Sequence, residues 1–179
     1  MHTAYRGPHR VFSFLPALCA VVLLAAGCAE LTVGHLQKKT WTAGARETIS
    51  GKFLNFDYAS GPSANGFGVK GTAWPIKENL PPWADMVQNL SITAYLCDGN
   101  GAVLAQEQKT FPSQKLAPAG LNFDFTLKPK AGTKGPLFVS FGYSGMFTAS
   151  KPPLAGGQGS GNIAGQFVFF ASEGAVLKH

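Results

Sequence analysis

Residues 121–128 read LNFDFTLK, with apolar and polar side chains alternating along the whole stretch. A period of two is typical of a β-strand, because successive side chains of a strand point to opposite faces. We therefore predict a strand here. The face that carries Phe123 and Phe125 is expected to be buried, and the face that carries Asn122 and Asp124 is expected to meet water.

The clearest turn lies upstream, where residues 98–101 read DGNG. Glycine adopts positive φ without steric cost, and Asp and Asn tolerate it better than most residues, so this tetrapeptide can reverse the chain. We predict a hairpin in which residues 91–97 pair with residues 102–109. Its first strand is expected to place two sets of side chains on opposite faces: Thr93, Tyr95 and Cys97 on one, and Ile92, Ala94 and Leu96 on the other.

Similar short apolar runs, separated by connections rich in Gly and Pro, recur along the chain from residue 47 to its end. Further strand candidates are residues 49–58, 67–74, 137–143 and 163–171. A total of about seven short strands predicts an all-β protein, a single antiparallel β-sandwich. One helical turn is expected at residues 82–87, where a proline suits the first helical position.

The segment 89–125, which contains YLCDGNGAVLA and LAPAGLNFDF, resembles the small immunoglobulin-like sandwich modules of bacterial envelope proteins. A transthyretin-like sandwich fits the pattern almost as well. The resemblance covers about a quarter of the chain and rests on the pattern of strands and turns. It implies a compact sandwich domain, which we expect to span residues 47–179.

Composition narrows the range of functions. The chain has 179 residues, a length typical of one domain with additional terminal segments. Because 45% of the residues are hydrophobic and 13% are charged, the chain can bury a hydrophobic core. The formal net charge is +6, but most lysines are scattered singly. A nucleic-acid-binding protein would be expected to cluster its cations and interleave them with aromatic residues. We therefore expect no nucleic-acid partner.

The first 27 residues have the organisation of a secretory signal. The first ten positions contain two arginines, two histidines and no acidic residue, and residues 11–26 form an apolar run. This order is typical of an exported protein. The run is shorter than the roughly 20 residues that span a bilayer, and Pro16 interrupts it, so we do not expect a permanent membrane helix.

The end of this segment, residues 24–28, reads LAAGC and resembles the lipobox of bacterial lipoproteins. In that family the cysteine thiol receives a diacylglyceryl group, and a dedicated signal peptidase cuts in front of the cysteine. The resemblance implies that residues 1–27 are removed and that Cys28 is lipidated. The family most often has Leu three residues before the cysteine, where this chain has Ala25, with Leu24 one place further back.

The resemblance also implies a cellular location. The finished cysteine of that family carries two or three acyl chains, and each buried methylene contributes about 0.8 kcal/mol, so attachment to the membrane is effectively permanent. In two-membrane bacteria, Asp after the cysteine tends to retain a lipoprotein at the inner membrane. Ala29 occupies that position and implies the outer membrane, facing the periplasm. We interpret residues 28–46 as the lipidated cysteine and a tether, with room for one short strand at residues 31–36. Lys38, Lys39 and Arg46 are interpreted as exposed linker charges, and the alternative is that they meet anionic headgroups at roughly 1 kcal/mol each.

Cysteine usage argues against thiol catalysis. Cys19 leaves with the signal and Cys28 becomes the anchor, so Cys97 is the one thiol expected in the mature domain. A catalytic thiol requires a neighbouring base, and the mature histidines are His35 in the tether and His179 at the terminus. We predict that Cys97 is a buried or half-buried strand residue without a catalytic role.

Three other stretches match known sites only in part. The turn at residues 98–101 is followed by Ala-Val-Leu, which supplies no side-chain ligand to the six or more oxygens that calcium needs. Residues 156–161, GGQGSG, lead into a strand-like run and not into the helix of a phosphate-binding loop. Residues 142–145, GYSG, precede Met146, where a nucleophile elbow has its final glycine. We predict no catalytic residue, metal site or cofactor.

These features favour a function in binding another molecule over a function in catalysis. Aromatic residues of a small sandwich belong mainly to the core, and of Trp41, Trp74 and Trp83 we expect Trp83, beside two prolines, to be the exposed one. We predict a non-enzymatic envelope lipoprotein whose sandwich contacts another envelope protein, for example as an accessory subunit. The alternative is a module that binds glycan or cell-wall material through exposed aromatic rings.

Overall fold

The structure is a computed structural model that describes residues 30–116, 120–151 and 167–178. In these ranges the chain is all-β, and its regular helical structure is one 3₁₀ turn at Lys77–Asn79. The strands are β1 (Leu31–Thr32), β2 (Lys38–Thr40), β3 (Arg46–Ser50), β4 (Leu54–Ser63), β5 (Gly66–Pro75), β6 (Met86–Cys97), β7 (Val103–Phe111), β8 (Gln114–Lys115), β9 (Leu121–Leu127), β10 (Phe138–Thr148), β11 (Val168–Glu173) and β12 (Val176–Leu177).

Two antiparallel sheets form the body of the molecule. The first sheet has the strand order β3-β4-β5-β9, and the second has the order β11-β10-β6-β7. The short strand β2 pairs with β10 beyond the end of β11, and β8 pairs with β6. Strands β1 and β12 form a separate two-stranded ribbon, in which Leu31 lies opposite Leu177. The predicted all-β class and antiparallel pairing are confirmed.

The two sheets pack face to face around one hydrophobic core. Phe56 of the first sheet stacks on Phe141 of the second, with ring centroids 4.6 Å apart and an interplanar angle of 13°. Phe123 lies 5.3 Å from the same ring. The predicted faces of β9 are confirmed, because Phe123 and Phe125 are buried while Asn122 and Asp124 are exposed. The arrangement is that of a β-sandwich.

The predicted hairpin is also present. Strands β6 and β7 are antiparallel, and the Asp98 carboxylate accepts hydrogen bonds from the amides of Asn100 (2.8 Å) and Ala102 (2.9 Å). Gly101 has a φ of 88° and approaches Gly34 so closely that a Cβ would lie 2.6 Å from its backbone. Only glycine fits this position without strain.

Both faces of β6 are covered, which the sequence did not predict. Ile92, Ala94 and Leu96 face the main core. Tyr95 and Cys97 form a second cluster on the opposite face, with Val33 from the N-terminal segment. The predicted division of the strand into two faces is therefore correct, but neither face meets water along this part of β6.

The N-terminal segment is folded and is not a tether, which corrects the domain boundary at residue 47. From Leu31 onward the chain contributes β1, β2 and the start of β3. Val33 is fully buried, and its amide donates to the Gly101 carbonyl at 2.8 Å. Lys38 donates to the Gly99 carbonyl at 2.7 Å. The physical reason is that this segment covers the outer face of β6, which otherwise exposes Tyr95 and Cys97.

Two local predictions also need correction. The expected strand 49–58 is a hairpin, because the amide of Gly51 donates to the Leu54 carbonyl at 2.9 Å and ends β3. The expected helical turn at 82–87 is a single tight turn, closed by a bond from the Ala84 amide to the Pro81 carbonyl at 2.9 Å. Strand β6 begins at Met86, since pairing with β10 and burial of the next residue favour the extended chain.

Candidate functional site

The predicted lipid attachment site, Cys28, and the signal segment before it lie outside the described residues. The described chain begins at Glu30, whose carbonyl accepts a hydrogen bond from the Lys178 amide at 2.8 Å. Its carboxylate lies 3.3 Å from the Lys178 ammonium group. The predicted anchor is therefore adjacent in sequence to the ribbon of β1 and β12.

Among the described residues, large apolar side chains are exposed at two places. Val176 and Leu177, which we call the anchor-end patch, are 49% and 52% exposed. Val168 and Phe170, which we call the distal patch, are 40% and 72% exposed. The two patches lie at opposite ends of the second sheet, since β11 pairs with the last residues of β10, whereas the ribbon adjoins the β6–β7 turn. Exposed apolar patches commonly mark surfaces that bind partners or membranes.

The Cys97 thiol is enclosed and weakly acidic. It is fully buried among Val33, Tyr95 and neighbouring apolar residues, and its sulfur donates a long hydrogen bond to the Phe138 carbonyl at 3.6 Å. Burial raises the pKa of Cys97 to about 11, although the charge of Lys38 opposes the shift. His35 is exposed. This environment suits a structural cysteine, as the sequence predicted.

We expect Cys97 of the folded protein to resist alkylation by iodoacetamide at pH 8. The thiolate is the reactive species, and a pKa of about 11 leaves roughly one thiol in a thousand ionised at that pH. An ordinary cysteine with a pKa of about 8.5 is ionised in roughly one molecule in four. Mass spectrometry should show the modification only after unfolding in urea. Rapid alkylation of the folded protein would contradict this burial.

Of the three stretches that match known sites only in part, residues 156–161 lie outside the described residues, and the other two are parts of ordinary structure. The Asp98 carboxylate is engaged by the amides of its own turn, and among the described residues no group of three His, Cys, Asp or Glu side chains is placed to hold a metal ion. Residues 142–145 lie inside β10 and not in a strand-to-helix turn. A Cβ at Gly142 would lie 2.7 Å from the Glu173 carbonyl oxygen, so this glycine permits close packing.

A polar network links the two sheets, and no local sequence pattern predicts it. The Tyr143 hydroxyl donates to the Glu173 carboxylate at 2.7 Å and accepts from the Phe53 amide at 3.0 Å. The same carboxylate accepts from the Lys52 amide at 2.8 Å. Burial, and then the bond to Glu173, raise the pKa of Tyr143 above its ordinary value. The network ties β10 and β11 to the β3–β4 turn, which indicates a structural role.

The three tryptophans are half-buried, so the expectation that Trp83 is the exposed one is not met. The Trp41 indole donates to the Gly68 carbonyl at 3.4 Å and packs edge-on against a phenylalanine. Trp83 packs edge-on against Phe167 with ring centroids 5.6 Å apart. Trp74 shares the outer face of β5 with Lys70, because residues two and four apart point the same way.

The outer face of the first sheet carries an open depression of about 590 Å³. It is lined by residues of β3, β4 and β5: Arg46, Glu47, Thr48, Asp57, Tyr58, Ala59 and Lys70. Within it, the Thr48 hydroxyl donates to the Asp57 carboxylate at 2.6 Å, while Lys70 lies 3.9 Å from Asp124 of β9. Charged and hydroxyl groups of this kind bind polar ligands by hydrogen bonds.

No helix among the described residues is both long enough and apolar enough to cross a membrane. Comparison of the chain with protein-family models, with curated proteins and with solved structures finds no match. Its function must therefore be inferred from its own sequence and geometry.

Proposed function

We propose that this chain is a lipid-anchored, non-enzymatic protein of the bacterial cell envelope. Acyl chains on Cys28 would hold it in the outer membrane, with the β body in the periplasm. The observation that carries the proposal is the lipobox-like LAAGC at residues 24–28, placed directly ahead of a folded body. In the described structure the first buried core residue is Val33, which lies after the proposed cut.

We propose further that the distal patch binds another envelope protein. Phe170 is 72% exposed on β11, which among the described strands pairs with β10 alone. An edge strand offers unpaired backbone groups, and an exposed aromatic side chain adds the apolar area typical of protein interfaces. Phe170 lies opposite Met146 of β10. Met146 is eight residues from Phe138, the end of β10 nearest the proposed anchor, so these two residues are about 27 Å apart. The anchor would therefore leave this patch accessible in the periplasm.

Within the sandwich class, we infer an immunoglobulin-like topology. Strands β4, β5 and β9 are adjacent in one sheet, and β11, β10, β6 and β7 follow one another in the other. This arrangement matches the A-B-E and G-F-C-C′ orders of immunoglobulin-like sandwiches. Strand β3 then adds an edge beside β4. The crossings from β5 to β6, from β7 to β9 and from β9 to β10 support the same assignment.

Site-specific photo-crosslinking in the native envelope tests the partner proposal. A benzophenone side chain replacing Phe170 should yield a crosslinked protein adduct, because the patch would be in contact with its partner. The same group replacing Lys70, whose side chain is 77% exposed on the other sheet, is the matched control and should yield none. If position 170 yields no protein adduct while the protein is fully lipidated and folded, the partner proposal is wrong.

The depression on the first sheet favours one alternative, a module that binds glycan or cell-wall material. Arg46, Lys70 and Asp57 offer charged hydrogen-bonding groups, and Trp74 lies on the same face for stacking against a sugar ring. Retention of the protein on immobilised cell-wall glycan would support this alternative if Lys70→Ala weakened it. Under the partner proposal, glycan retention is absent and Lys70→Ala has no effect.

A further inference from the structure

We propose that the anchor-end patch, Val176 and Leu177, lies in the headgroup layer of the bilayer that holds the Cys28 lipid. The ribbon of β1 and β12 would then be a membrane-contacting surface, and the protein would sit directly on the membrane. This inference rests on the proposed function, because the lipid on Cys28 is what brings the bilayer to this end of the molecule.

The length of chain between the anchor and the folded body sets the geometry. Two residues, Ala29 and Glu30, lie between Cys28 and Leu31. Three peptide units therefore join their Cα atoms, which lie at most about 11 Å apart. Leu31 is paired with Leu177 in the ribbon, and paired Cα atoms of antiparallel strands are about 5 Å apart. Leu177 is therefore held within about 16 Å of the lipidated residue. Because the headgroup layer is itself about 5–8 Å thick, the ribbon has little room to stand away from it.

The ribbon holds this patch in a fixed position. The Lys178 amide bonds to the Glu30 carbonyl at 2.8 Å, which extends the pairing of the two strands. At the end of β1, the Thr32 hydroxyl and the amide of the following Val33 both donate to the Gly101 carbonyl, at 3.2 and 2.8 Å. An isolated two-stranded ribbon is only marginally stable in water. These bonds connect the ribbon to the body of the protein. Val176 and Leu177 can therefore meet the bilayer without a change in backbone conformation.

The chemistry of the surface is apolar. Val176 and Leu177 expose about half of their side chains, and the neighbouring Lys178 ammonium group is paired with the Glu30 carboxylate. Aliphatic side chains at a bilayer surface partition to the boundary between headgroups and acyl chains. Since the charges of Lys178 and Glu30 compensate one another, the contact of Val176 and Leu177 is expected to depend little on anionic lipid or on salt.

A fluorescent probe on the lipidated protein tests the contact. We would label Leu177→Cys with the environment-sensitive dye NBD and reconstitute the protein in vesicles of phosphatidylethanolamine and phosphatidylglycerol. The thiol of Cys28 is consumed by its lipid and Cys97 is buried, so the new cysteine takes the label. NBD at 177 should show a blue-shifted, several-fold stronger emission and quenching by lipids that carry a nitroxide near the headgroup. NBD at Phe170→Cys, the matched control, should show neither.

The outcomes separate this inference from the proposed function. Intact mass spectrometry of the same sample reports the acyl groups on Cys28. If they are present and the two labelled positions give equal emission and equal quenching, the membrane contact is wrong and the anchor stands. If Cys28 carries no lipid, both proposals fall. Loss of the signal at 177 when phosphatidylcholine replaces phosphatidylglycerol would also overturn the apolar contact, because that result requires an electrostatic one.

Discussion

Replacing Phe56 with alanine is expected to lower the free energy of unfolding by about 3–5 kcal/mol. The ring is fully buried in the middle of the first sheet and stacks on Phe141 of the second sheet, with centroids 4.6 Å apart. Phe123 and Tyr143 lie within 6.3 Å of it as well. Since β4 is hydrogen-bonded to a strand on each side, the backbone cannot move in to fill the cavity, and most of the lost contact is not recovered.

Urea unfolding of a soluble form that starts after Cys28 measures this loss. The midpoint should fall while the slope m stays unchanged, which indicates that stability and not the extent of unfolding has changed. Phe170→Ala is the matched control, because the same side chain is removed from a position that is 72% exposed. It should change the free energy of unfolding by about 0.5 kcal/mol or less. A loss below about 1 kcal/mol for Phe56→Ala would mean that this ring does not fill the space between the sheets.

The parts of the fold that were predicted correctly are those that leave a local pattern. The alternation over residues 121–128 identified both the strand β9 and its buried face. The DGNG turn identified the hairpin of β6 and β7. In both cases the side chains that decide the structure lie within a dozen residues of one another, so a period of two or a turn sequence suffices to show them.

The N-terminal segment has no such pattern, which explains the error at the domain boundary. Strand β1 has two residues and β2 has three, too few to display a period. The partner of β1 is β12, at the far end of the described chain. What holds the segment in place is the outer face of β6, with Tyr95 and Cys97. That requirement becomes visible only after the second sheet has been assembled.

The candidate surfaces also differ in whether a local sequence pattern can reveal them. Cys28 was identified as a lipidation site from a linear motif, and that assignment remains a prediction, because the residue lies outside the described ranges. The two exposed patches are set by tertiary structure. Phe169 and Phe170 are neighbours in sequence with similar side chains, yet one packs against the core and the other is 72% exposed. Only the pairing of β11 with β10 decides which of them faces out.

Cys28→Ser is expected to abolish both lipidation and cleavage of the signal. The washed membrane fraction should then contain almost none of the mature, lipidated protein. A serine hydroxyl cannot form the thioether that carries the diacylglyceryl group, and processing of lipoproteins follows lipidation. The variant therefore loses two or three acyl chains, each contributing about 0.8 kcal/mol per buried methylene, and stays as an uncleaved precursor. Radioactive palmitate labelling, with gel mobility and fractionation, measures all three effects.

Cys97→Ala is the control for this result, since it removes the other cysteine of the proposed mature chain. Cys97 is buried beneath the N-terminal segment, so no acyl chain can reach its sulfur in the folded protein. Its replacement should leave palmitate incorporation and membrane attachment unchanged, at the cost of a small loss of stability. Label retained in Cys28→Ser, or lost in Cys97→Ala, would contradict anchoring through Cys28. Loss of label from Cys28→Ser alone would assign the lipid to this one thiol and support a bilayer beside the ribbon of β1 and β12.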